Sequence, residues 1–320
     1  MENKKYIKRF RGLKGLILGT GSIGKRHNKN LADLCVETDF VSFRETGIKG
    51  IVEKIKHTNA DFIIDALGTN NRHFILPYIK DSKKPFYLEK PAYFSNEIGK
   101  ILTDMPENLQ KKSVIGYMMR YNPIIRSLED DIKTIKPFSA SMHVGNDVNK
   151  WRQDWNFSKS YSANSFGGGV LLDLCHEIDL SNVLFSVDEV VSVSAKKYKE
   201  FKVDFVTNCV LRNSERNIKD ILTNISLNYL SPNLIRKSYV YGLCGEIKLD
   251  LVNGSKINNY DNKQKVEIFS NSRNNMFLDL MIDFLLSLID EKVKNPLFPS
   301  VKNTKTSNNL IASCYENIRF

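Results

Sequence analysis

A G-x-G-x-x-G turn, Gly19-Thr20-Gly21-Ser22-Ile23-Gly24, joins an apolar run at residues 15–19 to a stretch of helical character at residues 23–34. The first glycine permits a tight turn, the second lets the backbone approach a pyrophosphate, and the third lets helix and strand pack closely. Free N–H groups at the helix start then face the anion. The pattern alone occurs by chance in many proteins, but here it opens a longer series. Candidate strands at 15–19, 39–43, 61–66, 85–88 and 113–117 alternate with candidate helices at 23–34, 48–56, 72–80 and 96–102. Such alternation predicts parallel strands joined by crossover helices, a doubly wound sheet.

The pattern changes after Asn122-Pro123. A helix at 124–135, a strand at 138–144 and a polar, aromatic loop at 146–166 lead to Gly167-Gly168-Gly169 and a helix at 170–185. Strands at 190–198, 204–211, 220–230, 238–243 and 246–251 follow without helices between them, which predicts an antiparallel sheet. An apolar-striped helix at 276–293 and another from 304 complete the chain. The expected architecture is α/β. An N-terminal Rossmann domain with a doubly wound parallel sheet spans 1–120. A second α/β domain at 121–320 carries a large, mainly antiparallel sheet.

Composition narrows the class. A hydrophobic fraction of 42% and a charged fraction of 26% suit a globular chain of 320 residues, long enough for two cores. No apolar run approaches the length of a membrane span. Residues 1–14 read as a frayed basic lead-in to a strand, without a signal-peptide cleavage site, so a cytoplasmic location is expected. The five cysteines are dispersed and form no Cys-x-x-Cys pair, which argues for reduced thiols and against a zinc site. The net charge of +11 comes with no basic stripe interleaved with aromatics, so no nucleic-acid partner is expected.

Three further features point to chemistry. Arg44 and Glu45 follow the second strand. An arginine there suits the 2′-phosphate of NADP; the alternative is a solvated arginine with Glu45 on the ribose. Glu89-Lys90-Pro91 ends the fourth strand, where open α/β sheets bind ligands. Lys90 there could hold a substrate hydroxyl or share its proton, and Glu89 could contact the nicotinamide ribose. Finally, Asp173, His176 and Asp179 recur every third residue after the glycine triplet. On one helix they would share a face and set an imidazole between carboxylates for acid–base work. A helix-start role for Asp173 and solvation of Asp179 are the alternatives.

Taken in this order, the glycine turn, Glu89-Lys90-Pro91 and Gly-Gly-Gly-x-Leu-x-Asp with its following His-x-x-Asp resemble the glucose–fructose oxidoreductase / inositol dehydrogenase family (Gfo/Idh/MocA). Gly116-Tyr117-Met118-Met119-Arg120-Tyr121-Asn122-Pro123 resembles that family's link into its second domain. The resemblance implies NAD(P)-dependent oxidation or reduction at a secondary hydroxyl or ketone of a sugar, cyclitol or nucleotide sugar, by a homo-oligomer (dimer or tetramer). It implies Lys90 as principal catalytic or positioning residue, His176 as acid–base partner and Asp173 beside it. Cofactor contacts would come from Gly19, Thr20, Gly21, Ser22, Ile23, Gly24, Arg44, Thr69, Asn70, His73, Glu89, Lys90 and Arg120. Substrate contacts would come from Lys90, Tyr121, Trp151, Arg152, Tyr161, Asp173, His176 and Asp179.

Two departures stand out. Asp173 and His176 are three apart where the family commonly has four, and Thr69-Asn70-Asn71-Arg72-His73 lacks the proline of the family's Thr-Pro-Asn loop. The short spacing and the aromatic stretch around Trp151 to Tyr161 are similar to members associated with bacterial surface-polysaccharide synthesis. That stretch suits a sugar pocket or a hydrophobic loop anchor. A nucleotide sensor without turnover and an NAD-dependent glycosidase are the rival readings on the same scaffold.

Overall fold

A computed structural model describes residues 4–150, 156–215, 220–270 and 272–320. The chain divides into two compact units. One runs to Met118 and takes in Arg273–Lys305; the other comprises Met119–Ser272 and Thr306–Phe320. The cut read from sequence at 120/121 falls beside the first of these junctions. Residues 273–305, which sequence reading leaves in the second domain, group instead with the first unit.

The first unit is built on five parallel strands: β1 (Lys14–Leu18), β2 (Glu37–Val41), β3 (Phe62–Asp65), β4 (Phe86–Leu88) and β5 (Val114–Ile115). Their order is β2-β1-β3-β4-β5, so the succession reverses between β1 and β3. Beyond the carboxyl ends of strands at such a reversal lies the usual ligand position in open α/β sheets. The apolar runs that form β1, β3 and β4 are buried almost throughout, as strands covered on both faces must be.

Helices α1 (Lys4–Phe10), α2 (Ser22–Asp33), α3 (Phe43–His57), α4 (Thr69–Asp81), α5 (Asn96–Thr103) and α6 (Glu107–Lys112) belong to this unit. Residues 4–10, expected as part of a frayed lead-in, thus form a helix. Tyr6 and Phe10, one turn apart on α1, stack at 5.9 Å and are buried, which is enough to hold a helix against the unit. The returning segment joins the same core. Phe284 meets Phe62 and Tyr87 edge-on at 5.4 and 6.0 Å, and backbone bonds link Ile115 N–H to Pro299 O and Val301 N–H to Ser113 O.

The second unit opens with the short helices α7 (Pro123–Arg126) and α8 (Glu129–Ile135), where sequence predicts one helix. Its sheet has eight strands: β6 (Pro137–Gly145), β7 (Glu189–Lys196), β8 (Val206–Arg212), β9 (Leu222–Asn228), β10 (Ile235–Gly242), β11 (Gly245–Asp250), β12 (Ser255–Tyr260) and β13 (Lys263–Ile268). The order is β13-β12-β11-β10-β6-β9-β8-β7, antiparallel except where β6 pairs with β9. Helices α9 (Val170–Asp173) and α10 (His176–Phe185) lie in this unit, as does most of α12 (Lys305–Glu316); α11 (Arg273–Leu288) belongs to the first. Alternation along the inner strands buries one side, for example Ala140, Met142 and Val144 on β6 and Thr223, Ile225 and Leu227 on β9. Strands β12 and β13 extend this sheet past residue 251, where the sequence pattern predicts its end.

Candidate active site

The glycine turn has the backbone its motif predicts. Gly19 adopts φ 104°, and a Cβ there would come within 3.0 Å of Ala66 O. At Gly24 a Cβ would fall on the carbonyl oxygen of Gly19, so the helix can approach the strand only with glycine. Gly21 is different. Its φ is −70°, it is exposed, and a Cβ would meet nothing within 4 Å. The protein therefore leaves open space over Gly21, at the head of a helix of 12 residues with no side-chain cap. Unsatisfied N–H groups, a positive helix end and open backbone together fit a pyrophosphate. Thr20, Ser22 and Ile23 flank that space; Arg44 follows β2 as the second residue of α3 and is exposed beside Glu45.

The ends of β3 and β4 carry a buried polar network. Asp65 closes β3 and accepts from Leu67 N–H at 2.9 Å and from Arg72 Nε at 2.5 Å. Burial pushes the Asp65 carboxyl up, against the lowering effect of Arg72. The Arg72 guanidinium also donates to Leu67 O at 3.0 Å and to Pro91 O. Glu89 accepts from His27 Nε2 at 2.7 Å and packs its other oxygen against Gly116. Lys90, half-buried, follows directly and precedes Pro91 through a cis peptide. Thr69 is buried at the start of α4, Asn70 is half-buried, and His73 lies against Phe74 with its imidazole pushed down by burial. His27, Asp65 and Arg72 escape a reading of the sequence. Their partners lie 62, 7 and 19 residues away, and only the sheet brings them together.

In the second unit the glycine triplet does close work. A Cβ at Gly168 would crowd three carbonyls, those of Asn164, Ser162 and Tyr161, at 2.5–2.8 Å, and one at Gly169 would fall on Asp204 Oδ1. Asp204 satisfies the start of α9, with Val170 N–H donating to its carbonyl and Leu171 N–H to its carboxylate at 2.9 Å. Asp173 accepts from Ser162 Oγ at 2.6 Å and from the Tyr229 hydroxyl at 2.5 Å. Burial and the Asp173 charge push the Tyr229 phenol up.

The expected continuous helix is interrupted at Leu174 and Cys175, so His176 is the first residue of α10. Asp179 is fully buried and takes a two-point ion pair from Arg120, Nε at 3.0 Å and Nη2 at 2.5 Å. The structure thus joins Arg120, expected at the cofactor, to Asp179, expected beside His176. Tyr121 is buried on the single turn 118–121, and Tyr161 is exposed. Trp151 and Arg152 lie outside the described residues. Among the described residues no cluster of His, Cys, Asp and Glu is arranged to hold a metal ion.

Residues 128–318 match the family model described as "Oxidoreductase family, C-terminal alpha/beta domain", that of Gfo/Idh/MocA. The chain belongs to the Gfo/Idh/MocA oxidoreductase family. A search of curated proteins finds no match in sequence. Solved structures resembling this Gfo/Idh/MocA protein include UDP-N-acetylglucosamine 3-dehydrogenase GnnA from Acidithiobacillus ferrooxidans, at TM-score 0.74 and 13% identity, covering 95% of this chain and 97% of that one. An inositol dehydrogenase homolog from Azotobacter vinelandii, complexed with NAD+, gives TM-score 0.77 at 10% identity over 96% and 95% of the two chains. Biliverdin reductase from Synechocystis sp. PCC 6803, with biliverdin and NADP+, gives 0.76 at 14% over 96% and 99%. At these identities the likeness is one of fold, and it extends over both units of the Gfo/Idh/MocA chain.

Proposed function

We propose that this oxidoreductase is a nicotinamide-dependent dehydrogenase or reductase acting on a secondary hydroxyl or ketone of a sugar, cyclitol or nucleotide sugar. The observation that carries the reading is the open backbone over Gly21 at the head of α2, in the same unit whose β4 is followed directly by Glu89-Lys90. The class of substrate is supported by related folds: GnnA is named for a nucleotide sugar, and the inositol dehydrogenase homolog is also known with NADH and myo-inositol. Arg44, exposed just past β2, favours NADP, because a guanidinium pairs with a phosphate through two parallel hydrogen bonds.

A nicotinamide, when bound, supplies the acceptor or donor of a hydride. The chain's own residues handle the proton. Oxidising a CH–OH group leaves the hydroxyl proton to be taken up, and Lys90 Nζ would receive it or, in the other direction, return it to the ketone oxygen. His176 would serve as an acid–base group of the second unit, beside Asp173, whose carboxylate is held by Ser162 and Tyr229. A role in surface-polysaccharide synthesis would fit a nucleotide-sugar substrate.

The test is a fluorescence titration with NADPH and NADH, followed by turnover assays on polyols and nucleotide sugars with the wild type and Lys90→Met. Tighter binding of NADPH and a fall in kcat of about 10²–10⁴-fold in the variant, with cofactor affinity retained, is the expected outcome. Failure to bind either nucleotide, or near-normal turnover by Lys90→Met, would overturn it.

A further inference from the structure

Lys90 stands between two residues that are each held by a buried side chain of a different helix. On the N-terminal side, Glu89 is held by His27 of α2, which is fully buried. Tyr87 and Phe277 stand edge-on to the imidazole at 4.7 and 6.0 Å. On the C-terminal side, the Pro91 carbonyl is held by Arg72 of α4. Arg72 is itself fixed by Asp65 Oδ2 at 2.5 Å and Leu67 O at 3.0 Å, and is 1% exposed.

Stability alone gives little reason for such groups. Taking a guanidinium and a carboxylate out of water costs about as much as their attraction returns, and an apolar pair of similar volume often serves as well. What an apolar pair cannot do is hold two carbonyl oxygens and a carboxylate at fixed positions in one plane. The guanidinium fork does this, and so ties the end of β3, the turn before α4 and the residue after Lys90 into one rigid unit.

We propose that Arg72 and His27 are positioning residues for Lys90, the first holding the Pro91 carbonyl and the second the Glu89 carboxylate, so that Lys90 Nζ is presented at one place beyond β4. Neither touches substrate in this scheme; both act through the residues that flank Lys90, Arg72 on the Pro91 carbonyl and His27 on the Glu89 side chain. The proposal rests on the reading of Lys90 as the proton-handling residue and deepens it.

Two kinds of variant test it. Asp65→Asn with Arg72→Met removes the hold on Pro91 without leaving a buried charge unpaired, and the asparagine can still accept from Leu67 N–H. His27→Leu removes the hold on Glu89, while His27→Gln keeps an N–H donor. Each is assayed for kcat, KM and NADPH affinity, and for hydrogen exchange of the backbone amides of residues 89–94. The double variant and His27→Leu should lose kcat on the order of 10²-fold, as small misplacements do, with KM and NADPH affinity little changed. Exchange should rise in 89–94 and stay low in α2 and α4. His27→Gln should recover most of the loss.

Unchanged exchange in 89–94, or parallel loss of kcat, KM and nucleotide affinity with exchange rising throughout the unit, would overturn the proposal. Should the double variant fail to fold, the two His27 variants decide the question by the same criteria. If the wild type turns over no secondary alcohol with either nucleotide, the reading of Lys90 fails, whereas the exchange arm still reports whether the clamp exists.

Discussion

At Gly24 an added Cβ would lie on the Gly19 carbonyl oxygen, whereas at Gly21 it would meet nothing. The two glycines therefore predict different phenotypes. Gly24→Ala should cost about 1–3 kcal/mol of stability through overpacking, read as a lower urea midpoint. Gly21→Ala should leave that midpoint unchanged yet weaken NADPH binding about tenfold, or 1.4 kcal/mol, because its methyl would stand where a phosphate must approach. Wild-type nucleotide affinity in Gly21→Ala would remove the turn from the cofactor site. Asp204 gives a pH-dependent counterpart. Burial raises its carboxyl from the ordinary 3.8 to about 6, so the folded chain holds that proton more tightly than the unfolded chain. The favourable contribution is complete below the ordinary value and is lost as pH rises through about 6, at roughly 1.4 kcal/mol for each tenfold difference in proton affinity between the two states. Asp204→Asn, still able to accept from Leu171 N–H and Thr207 Oγ, should match the wild type near pH 4 and exceed it by about 3 kcal/mol above pH 6. A gap that does not vary with pH in urea melts would contradict this.

Helix α3 runs through Gly47 at φ 60°, ψ −172°, a conformation almost confined to glycine, and no atom crowds a Cβ there. Gly47→Ala should thus cost about 1–3 kcal/mol purely through the backbone; a loss below about 0.5 kcal/mol in urea melts, the scale of ordinary surface changes, would show that the kink relaxes. The same element shows what periodicity can reveal. Apolar spacing marks a helix at 48–56 but not the turn before the kink, where Phe43 reads as the end of the second strand and Arg44-Glu45 as the residues that follow it. Likewise nothing in Leu174-Cys175 or Ser127-Leu128 breaks a helix by propensity, so α9–α10 and α7–α8 each look continuous in sequence, and His176 looks mid-helix when it begins α10. Strands β12 and β13 escape because Ser255–Tyr260 and Lys263–Ile268 are mostly polar. The signal that could have found them is their turn: Asp261 and Asn262 both have positive φ and join Tyr260 to its partner Lys263, the two-residue hairpin geometry that Asn and Asp tolerate.

At the scale of the molecule, positions along the chain were legible and partnerships across it were not. Gly19–Gly24 and Glu89-Lys90 are placed at strand ends by local sequence, and the order of strands and helices predicts the sheet that sets them at its carboxyl edge. The Tyr229 hydroxyl on Asp173 and the two-point bond from Arg120 to Asp179 depend on pairings 56 and 59 residues apart, which one sequence does not show. The same blindness hides the return of Arg273–Lys305 to the first unit. That return is not an accessory. Helix α11 buries Met276, Phe277, Leu280, Met281, Phe284 and Leu285, and packs against α2 and α6. At about 1.5–3 kcal/mol per buried side chain, losing half of these would consume much of a typical domain's stability of about 5–15 kcal/mol. The backbone bonds from Ile115 to Pro299 and from Val301 to Ser113 would go as well, uncovering the β5 edge. A fragment of residues 1–120 should therefore show no cooperative urea transition and bind no NADPH, although it contains the whole glycine turn. Joining 273–305 to it through a flexible linker should restore both. Cooperative unfolding of 1–120 alone would mean that the parallel sheet is covered without α11.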